Sequence, residues 1–174
     1  MLFNSYEFLF ALLPAVLAGY YLILPKKWRH GWLALASYVF YGWWDYRFCG
    51  LLLLTTTIDY VAGGKIAAAA DPAVRKRWLR FSIVSDLSIL GFFKYFDLGA
   101  ETVNRMAGWL GAESGLVPLL HLVLPVGISF YTFQAMSYSI DIYRGHARPA
   151  RSFVDFACYV SLFPQLVAGP IVRY

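Results

Sequence analysis

The sequence predicts an all-helical bundle that crosses a membrane about five or six times. Three observations carry that expectation. Of the 174 residues, 60% are hydrophobic and only 14% are charged, against about 45–50% and about 25% in an ordinary soluble domain. So few charges cannot cover the surface of a globule this size. Apolar runs of 16 to 20 residues recur along the chain, close to the roughly 20 that a helix needs to span a bilayer. Finally, the lysines and arginines gather between the runs, as membrane anchors do. Disorder is excluded, because the chain has ample material to bury. The net charge of +5 does not imply nucleic acid, whose binders line basic residues along a soluble face.

The first run, Phe8 to Leu24, has no Lys or Arg before it and Lys26, Lys27 and Arg29 after it. That order is the reverse of a secretory signal peptide, so the run reads as a retained span. Runs two and three, Trp28–Trp44 and Phe48–Gly63, are separated only by Asp45, Tyr46 and Arg47. At 1.5 Å per residue each reaches about 25 Å, so two short spans or a re-entrant pair both fit. Asp71-Pro72 is a helix-start signal, followed by Arg75, Lys76, Arg77 and Arg80 and a fourth run over Phe81–Phe96. Residues Asp97 to Gly115 read as a more polar connection. Leu116–Leu124 is too short to span and reads as an interfacial or re-entrant piece. The fifth span is placed at Pro125–Tyr143, since Pro suits a first helical turn. The last run, Phe153 to Val172, holds Pro164 and Gly169-Pro170, so its helix cannot be regular throughout.

Charge counting orients the bundle. The connections after spans one, three and five carry three, five and three Lys/Arg; the others carry one each, Arg47 and Arg105, with Lys94 near a span end. This bias places the amino terminus outside and the basic loops in the cytoplasm. It also favours two true spans over a re-entrant hairpin in residues 28–63.

Ionisable groups inside apolar runs are costly and usually face a bundle interior. Asp59 shares a helical face with Thr55 and Thr56, and Asp86 shares one with Ser82; contacts between helices explain both without chemistry. Lys94 and Asp97 form an i,i+3 pair near a boundary. The fifth span is more informative. Tyr131, Gln134, Tyr138 and Asp141 step by three, four and three, forming one stripe, bordered by Ser137 and flanked by Phe130 and Phe133. Such a stripe suits a water-filled or ligand-lined channel, and equally a seam buried against neighbouring helices. Pro164-Gln165 and Ala168-Gly169-Pro170 interrupt a helix at membrane depth, where irregular backbone needs protein or a cavity to cover it.

The signatures of common soluble enzymes are absent: no Walker-type loop, no GxGxxG, no HExxH and no GxSxG. His30 and His146 fall in basic loops, and His121 in the apolar piece before Pro125. Their spacing supports no metal site. Cys49 and Cys158 lie in apolar stretches with no CxxC and read as small buried side chains.

Several stretches together resemble a known family. They are MLFNSYEFLFALLP at the start, SYVFYGWWDYRF (Ser37–Phe48), LPVGISFYTFQAMSYSIDIYRG (Leu124–Gly145) and DFACYVSLFPQLVAGPIVRY (Asp155–Tyr174). In this order they are similar to the membrane-bound O-acyltransferases, in the bacterial alginate O-acetyltransferase branch. The resemblance implies a multi-span enzyme of the bacterial cytoplasmic membrane. It would move an acetyl group from a donor such as acetyl-CoA, a co-substrate and not a bound cofactor, to hydroxyls of an exported polysaccharide such as alginate. Periplasmic acetyl-relay and polysaccharide-synthesis proteins are the implied partners, beside the lipid bilayer.

In such enzymes a buried histidine acts as general base on the acceptor. None of His30, His121 or His146 matches its position, so residues 1–174 read as an amino-terminal part of the transmembrane domain, inactive alone. The residues expected to contribute are Tyr131, Gln134, Tyr138 and Asp141 on a tunnel wall, with Gln165, Gly169 and Pro170 shaping the irregular segment. Arg144 is expected to pair with Asp141 or to meet donor phosphates. A small transporter or channel built on the fifth-span stripe is the alternative from another class, and a membrane scaffold for a secretion machine is a third.

Overall fold

The computed structural model describes residues 4–43, 45–109, 117–120, 124–125 and 127–168. All regular structure among them is helical. α1 (Phe8–Ile23) is not uniform: wide π turns at Phe8–Leu12 and Gly19–Ile23 flank a regular stretch at Leu13–Ala18. Pro14 lacks an amide proton and its ring crowds the carbonyl four residues back. The widened turn before it accommodates that ring. At the other π turn, a Cβ on Gly19 would overlap the Trp32 indole. The indole Nε1 donates to the Val16 carbonyl at 3.2 Å, which docks α1 on the next helix.

A tight turn at Lys26–Trp28 leads into α2 (Arg29–Gly42). α3 (Tyr46–Ala68) starts where Asp45 accepts a hydrogen bond from the Arg47 amide at 2.9 Å, a side-chain N-cap that satisfies an otherwise orphan donor. Residues 28–63 therefore form two separate helices. Among the described residues α3 is the one helix long and apolar enough to cross a membrane; α1 is apolar but shorter.

α4 (Pro72–Trp109) has 38 residues and a length of about 57 Å at 1.5 Å per residue. Asp71 and Pro72 start it as expected, with the Asp71 carboxylate accepting from the Ala73 amide at 2.8 Å. The connection expected from Asp97 instead continues as helix to Trp109. Nothing in Asp97–Trp109 breaks it: there is no proline, and Gly99 and Gly108 each cost only about 1 kcal/mol against Ala. Ala100 and Ala107, seven residues apart, keep one face buried.

α5 (Ile128–Arg144) begins three residues later than Pro125, because Gly127 sits at φ 78° in the left-handed region. Gly145, at φ 77°, ends it, with the His146 and Ala147 amides both donating to the Asp141 carbonyl. The final run breaks at Leu162 into α6 (Phe153–Ser161) and α7 (Phe163–Ala168), with Pro164 in the first turn of the new helix. The Ser37 hydroxyl of α2 accepts from the Phe163 amide at 3.2 Å and so meets the donor that the break exposes.

α3 packs on α4 and α5, α4 on α5, and α2 on α6. The larger core gathers Leu52 and Ile66 of α3, Ile128, Tyr131 and Tyr138 of α5, and Phe156 and Val160 of α6. A smaller one joins Phe8 and Val16 of α1 to Phe40 and Phe163. Fully buried Ala62 and Ala135 let helices approach closely, as small residues do in membrane bundles. The starts of α2, α4 and α6 meet the ends of α3 and α5, so the three basic clusters share one end of the bundle.

Candidate functional site

The α5 stripe is the framework of the site. Tyr131, Gln134, Tyr138 and Asp141 are all buried on one face, as their spacing requires. Gln134 Nε2 donates to the Tyr159 carbonyl of α6 at 2.9 Å. The Tyr138 hydroxyl accepts from the Ala150 amide at 3.1 Å, and its ring lies 4.3 Å from that of Phe156. Gly63 of α3 makes room for this ring: a Cβ there would come within 2.5 Å of Tyr138 Cε1. Asp141 stands in the last turns of α5, with His146 Nδ1 at 4.0 Å from its carboxylate. Ser137 donates to the Gln134 carbonyl at 2.8 Å, whereas Phe130 and Phe133 are exposed. The stripe packs against α3 and α6.

A second polar cluster lies deeper among α3, α4 and α5. Thr55, Thr56, Asp59, Ser82, Asp86 and Ser139 are all fully buried. Ser82 Oγ donates to Asp59 Oδ1 at 2.6 Å and lies 2.9 Å from Ser139 Oγ. A hydroxyl has one proton to give, so Ser139 must donate to Ser82. The Asp86 carboxyl abuts that of Asp59. The two carboxyls are within hydrogen-bond reach of each other, and beyond that pairing Asp59 Oδ2 and both Asp86 oxygens have no partner among the described residues; the Tyr131 hydroxyl reaches that of Tyr41 in the same way. Thr55 and Thr56 turn their hydroxyls back to carbonyls of their own helix. The sequence flags Asp59 and Asp86 separately; the α3–α4 packing brings them together.

The basic end holds two further constellations. His30 Nδ1 meets Asp155 Oδ1 at 2.6 Å, beside a groove of 470 Å³ lined by His30, Arg151, Asp155, Cys158 and Tyr159. Ser152 caps α6 by accepting from the Asp155 amide at 3.1 Å, which fixes the start of the helix that carries the carboxylate. The pairing of His30 with Asp155 joins residues 125 apart in sequence; His30 lies in the first turn of α2 and not in a loop, and its side chain stays largely exposed. Arg75 Nη2 donates to the Tyr143 carbonyl at 2.9 Å, with the guanidinium over the Tyr143 ring at 5.6 Å. A cation on the last carbonyls of α5 opposes the negative end of its dipole.

The remaining expected residues scatter. Arg144 is exposed in the last turn of α5, and Gln165 is half-buried in α7. Gly169, Pro170 and His121 lie outside the described residues. Lys94 sits over the Tyr95 ring, and Asp97 accepts from the Leu120 amide at 2.9 Å. Cys158 is buried and Cys49 half-buried, both free. No group of three or more His, Cys, Asp or Glu side chains able to hold a metal occurs among the described residues.

Known proteins add a second line of observation. The protein named probable alginate O-acetylase AlgI from Azotobacter vinelandii is 44% identical to the chain over all of its residues, and that from Pseudomonas aeruginosa is 42% identical. A peptidoglycan O-acetyltransferase of Helicobacter pylori is 32% identical, again over the whole chain. The chain spans about a third of the length of these relatives, 34%, 33% and 37% respectively. No protein-family model and no solved structure matches. The resemblance carried by the sequence motifs thus extends along all 174 residues.

Proposed function

From that whole-length similarity we propose that the chain is part of a membrane-bound O-acyltransferase that moves acetyl groups onto hydroxyls of an exported polysaccharide. The single observation that carries the reading is the 40–44% identity, over the entire chain, with proteins named alginate O-acetylase. In this reading residues 1–174 are the amino-terminal transmembrane portion, of five or six spans, in a bacterial cytoplasmic membrane with the amino terminus outside. Large exposed apolar side chains on α1, α3 and α4, among them Phe10, Leu22, Leu54 and Val84, support lipid or further protein as their surroundings. The convergence of basic clusters at one end supports the orientation.

The part played by these residues is to build and seat a wall. Tyr131, Gln134, Tyr138 and Asp141 hold α5 against α3 and α6, and Gln165, Gly169 and Pro170 shape the irregular segment beside it. Arg144, exposed at the basic end, is placed to meet the phosphates of a cytoplasmic acyl donor such as acetyl-CoA. Periplasmic acetyl-relay and polymer-synthesis proteins complete the path to the acceptor. The transporter alternative gains no support from the stripe, because its side chains are packed against neighbours.

The test is deletion of the gene, complemented with the full-length wild type or with Asp141→Ala. Deletion should abolish O-acetyl groups on the exported polysaccharide, and wild type should restore them. Asp141→Ala should restore less than half at equal membrane abundance. Unchanged acetyl content after deletion would sink the proposal. Loss confined to peptidoglycan would move the acceptor to that polymer, and full restoration by Asp141→Ala would remove Asp141 from the wall.

A further inference from the structure

We propose that the first turns of α4 bind one anionic phospholipid, its headgroup phosphate seated among Lys76, Arg77 and Arg80 and an acyl chain running along the helix beyond them. The site rests on the reading of the chain as part of a membrane protein. Four basic side chains open α4, and they are used in two ways. Arg75 turns inward and donates to the Tyr143 carbonyl at 2.9 Å. Lys76, Arg77 and Arg80 are exposed and enter no ion pair among the described residues. Asp71, the acid just before them, is occupied as a cap, accepting from the Ala73 amide at 2.8 Å.

Two grooves meet at Arg77. The first, of 270 Å³, is lined by Ala73, Lys76, Arg77 and Arg80. These residues stand at i, i+3, i+4 and i+7, so one helical face presents three cations around the small floor of Ala73. The second, of 200 Å³, is lined by Arg77, Trp78 and Phe81, with the two rings edge to face at 5.7 Å. Beyond Arg80 the same face turns apolar: Val84 and Leu87 are exposed, and Gly91 leaves open space beside the backbone. From Arg80 to Gly91 the helix rises about 16 Å, close to the roughly 15 Å hydrocarbon depth of one leaflet. Free phosphate would meet only the cations, and an uncharged lipid only the apolar strip. An amphiphile with an anionic head meets both, and basic pockets at a membrane surface recognise such heads.

The test uses the full-length protein, purified in detergent, freed of lipid and titrated with phosphatidylglycerol or phosphatidylcholine, with bound lipid counted by native mass spectrometry. Phosphatidylglycerol should bind at one site about tenfold more tightly than phosphatidylcholine, and inorganic phosphate in about hundredfold excess should leave it bound. Each cation near an anionic head contributes roughly fivefold in affinity, so Lys76→Gln, Arg77→Gln and Arg80→Gln together should weaken phosphatidylglycerol about a hundredfold. The charge-keeping set Lys76→Arg, Arg77→Lys and Arg80→Lys should stay within about threefold of wild type. The comparison of the two lipids on the wild type stands even where the glutamine variant fails to fold. Equal affinity for the two lipids or full displacement by phosphate would overturn the site. So would an equal loss from Lys26→Gln, Lys27→Gln and Arg148→Gln, cations of the same end that line neither groove. A protein that stays in solution without detergent would overturn the membrane reading itself, whereas a detergent-dependent protein without lipid selectivity removes this site alone.

Discussion

Two buried polar regions share helix α5, and they are finished differently. Along the stripe, Gln134 and Tyr138 each meet a backbone group of the segment 147–161. Their polarity is used up in fixing one helix against another. One face over, Asp59 and Asp86 lie carboxyl against carboxyl, and three of their four oxygens have no partner among the described residues beyond that pairing. Buried polar groups are normally satisfied; the first region meets that need with backbone groups of another segment, and the second with side chains that answer one another. The contrast shows that polarity within an apolar helix does not by itself mark a site.

Three substitutions test how firm that contrast is. The largest effect is expected at Gly63→Leu. A side chain there collides with the Tyr138 ring, and overpacking of this kind costs about 3 kcal/mol. Detergent melting should show a clear loss of stability, and an unshifted transition would mean that the stripe is not seated as described. Gln134→Leu should cost about 1–2 kcal/mol, because it strands the Tyr159 carbonyl without its donor. A neutral result would mean that the backbone pairing does not hold the stripe, and would erase the distinction. Ser139→Ala should be the mildest, at about 0.5–1 kcal/mol, since Ser82 can still donate to Asp59. Ser139 is the one residue shown hydrogen-bonding from the stripe's helix into the carboxylate cluster. A loss as large as that from Gly63→Leu would mean that the two regions act as one.

Much of the fold follows from periodicity and punctuation. The three-four-three spacing of the stripe fixes its face, and all four residues are buried together. Asp71-Pro72 starts α4, and Pro164 falls just after the break at Leu162. Element ends were less legible. α4 runs past Asp97 because polarity alone does not stop a helix, and α5 waits for Gly127 because a left-handed glycine outranks Pro125 as the point of entry. The site was legible in its members and not in its pairings. Asp59 and Asp86 stand out one at a time, but their meeting depends on how α3 rotates against α4. Gly63 carried a signal that was passed over: a glycine within an apolar helix often marks a close approach. His30 and Asp155 gave no hint of each other, because local spacing says nothing about residues 125 positions apart.

The Ser37–Phe163 contact bears on the order in which the molecule is made. The two residues are 126 positions apart, so at about 5–20 residues per second some 6–25 s of synthesis separates them. Throughout that interval α2 is present without α6 and α7. Its Ser37 hydroxyl already donates to the Leu33 carbonyl at 2.7 Å within its own helix, and so keeps its orientation until the late amide arrives. The bend after α6 is therefore set by a helix made much earlier, which serves as the template on which the last described segment is laid.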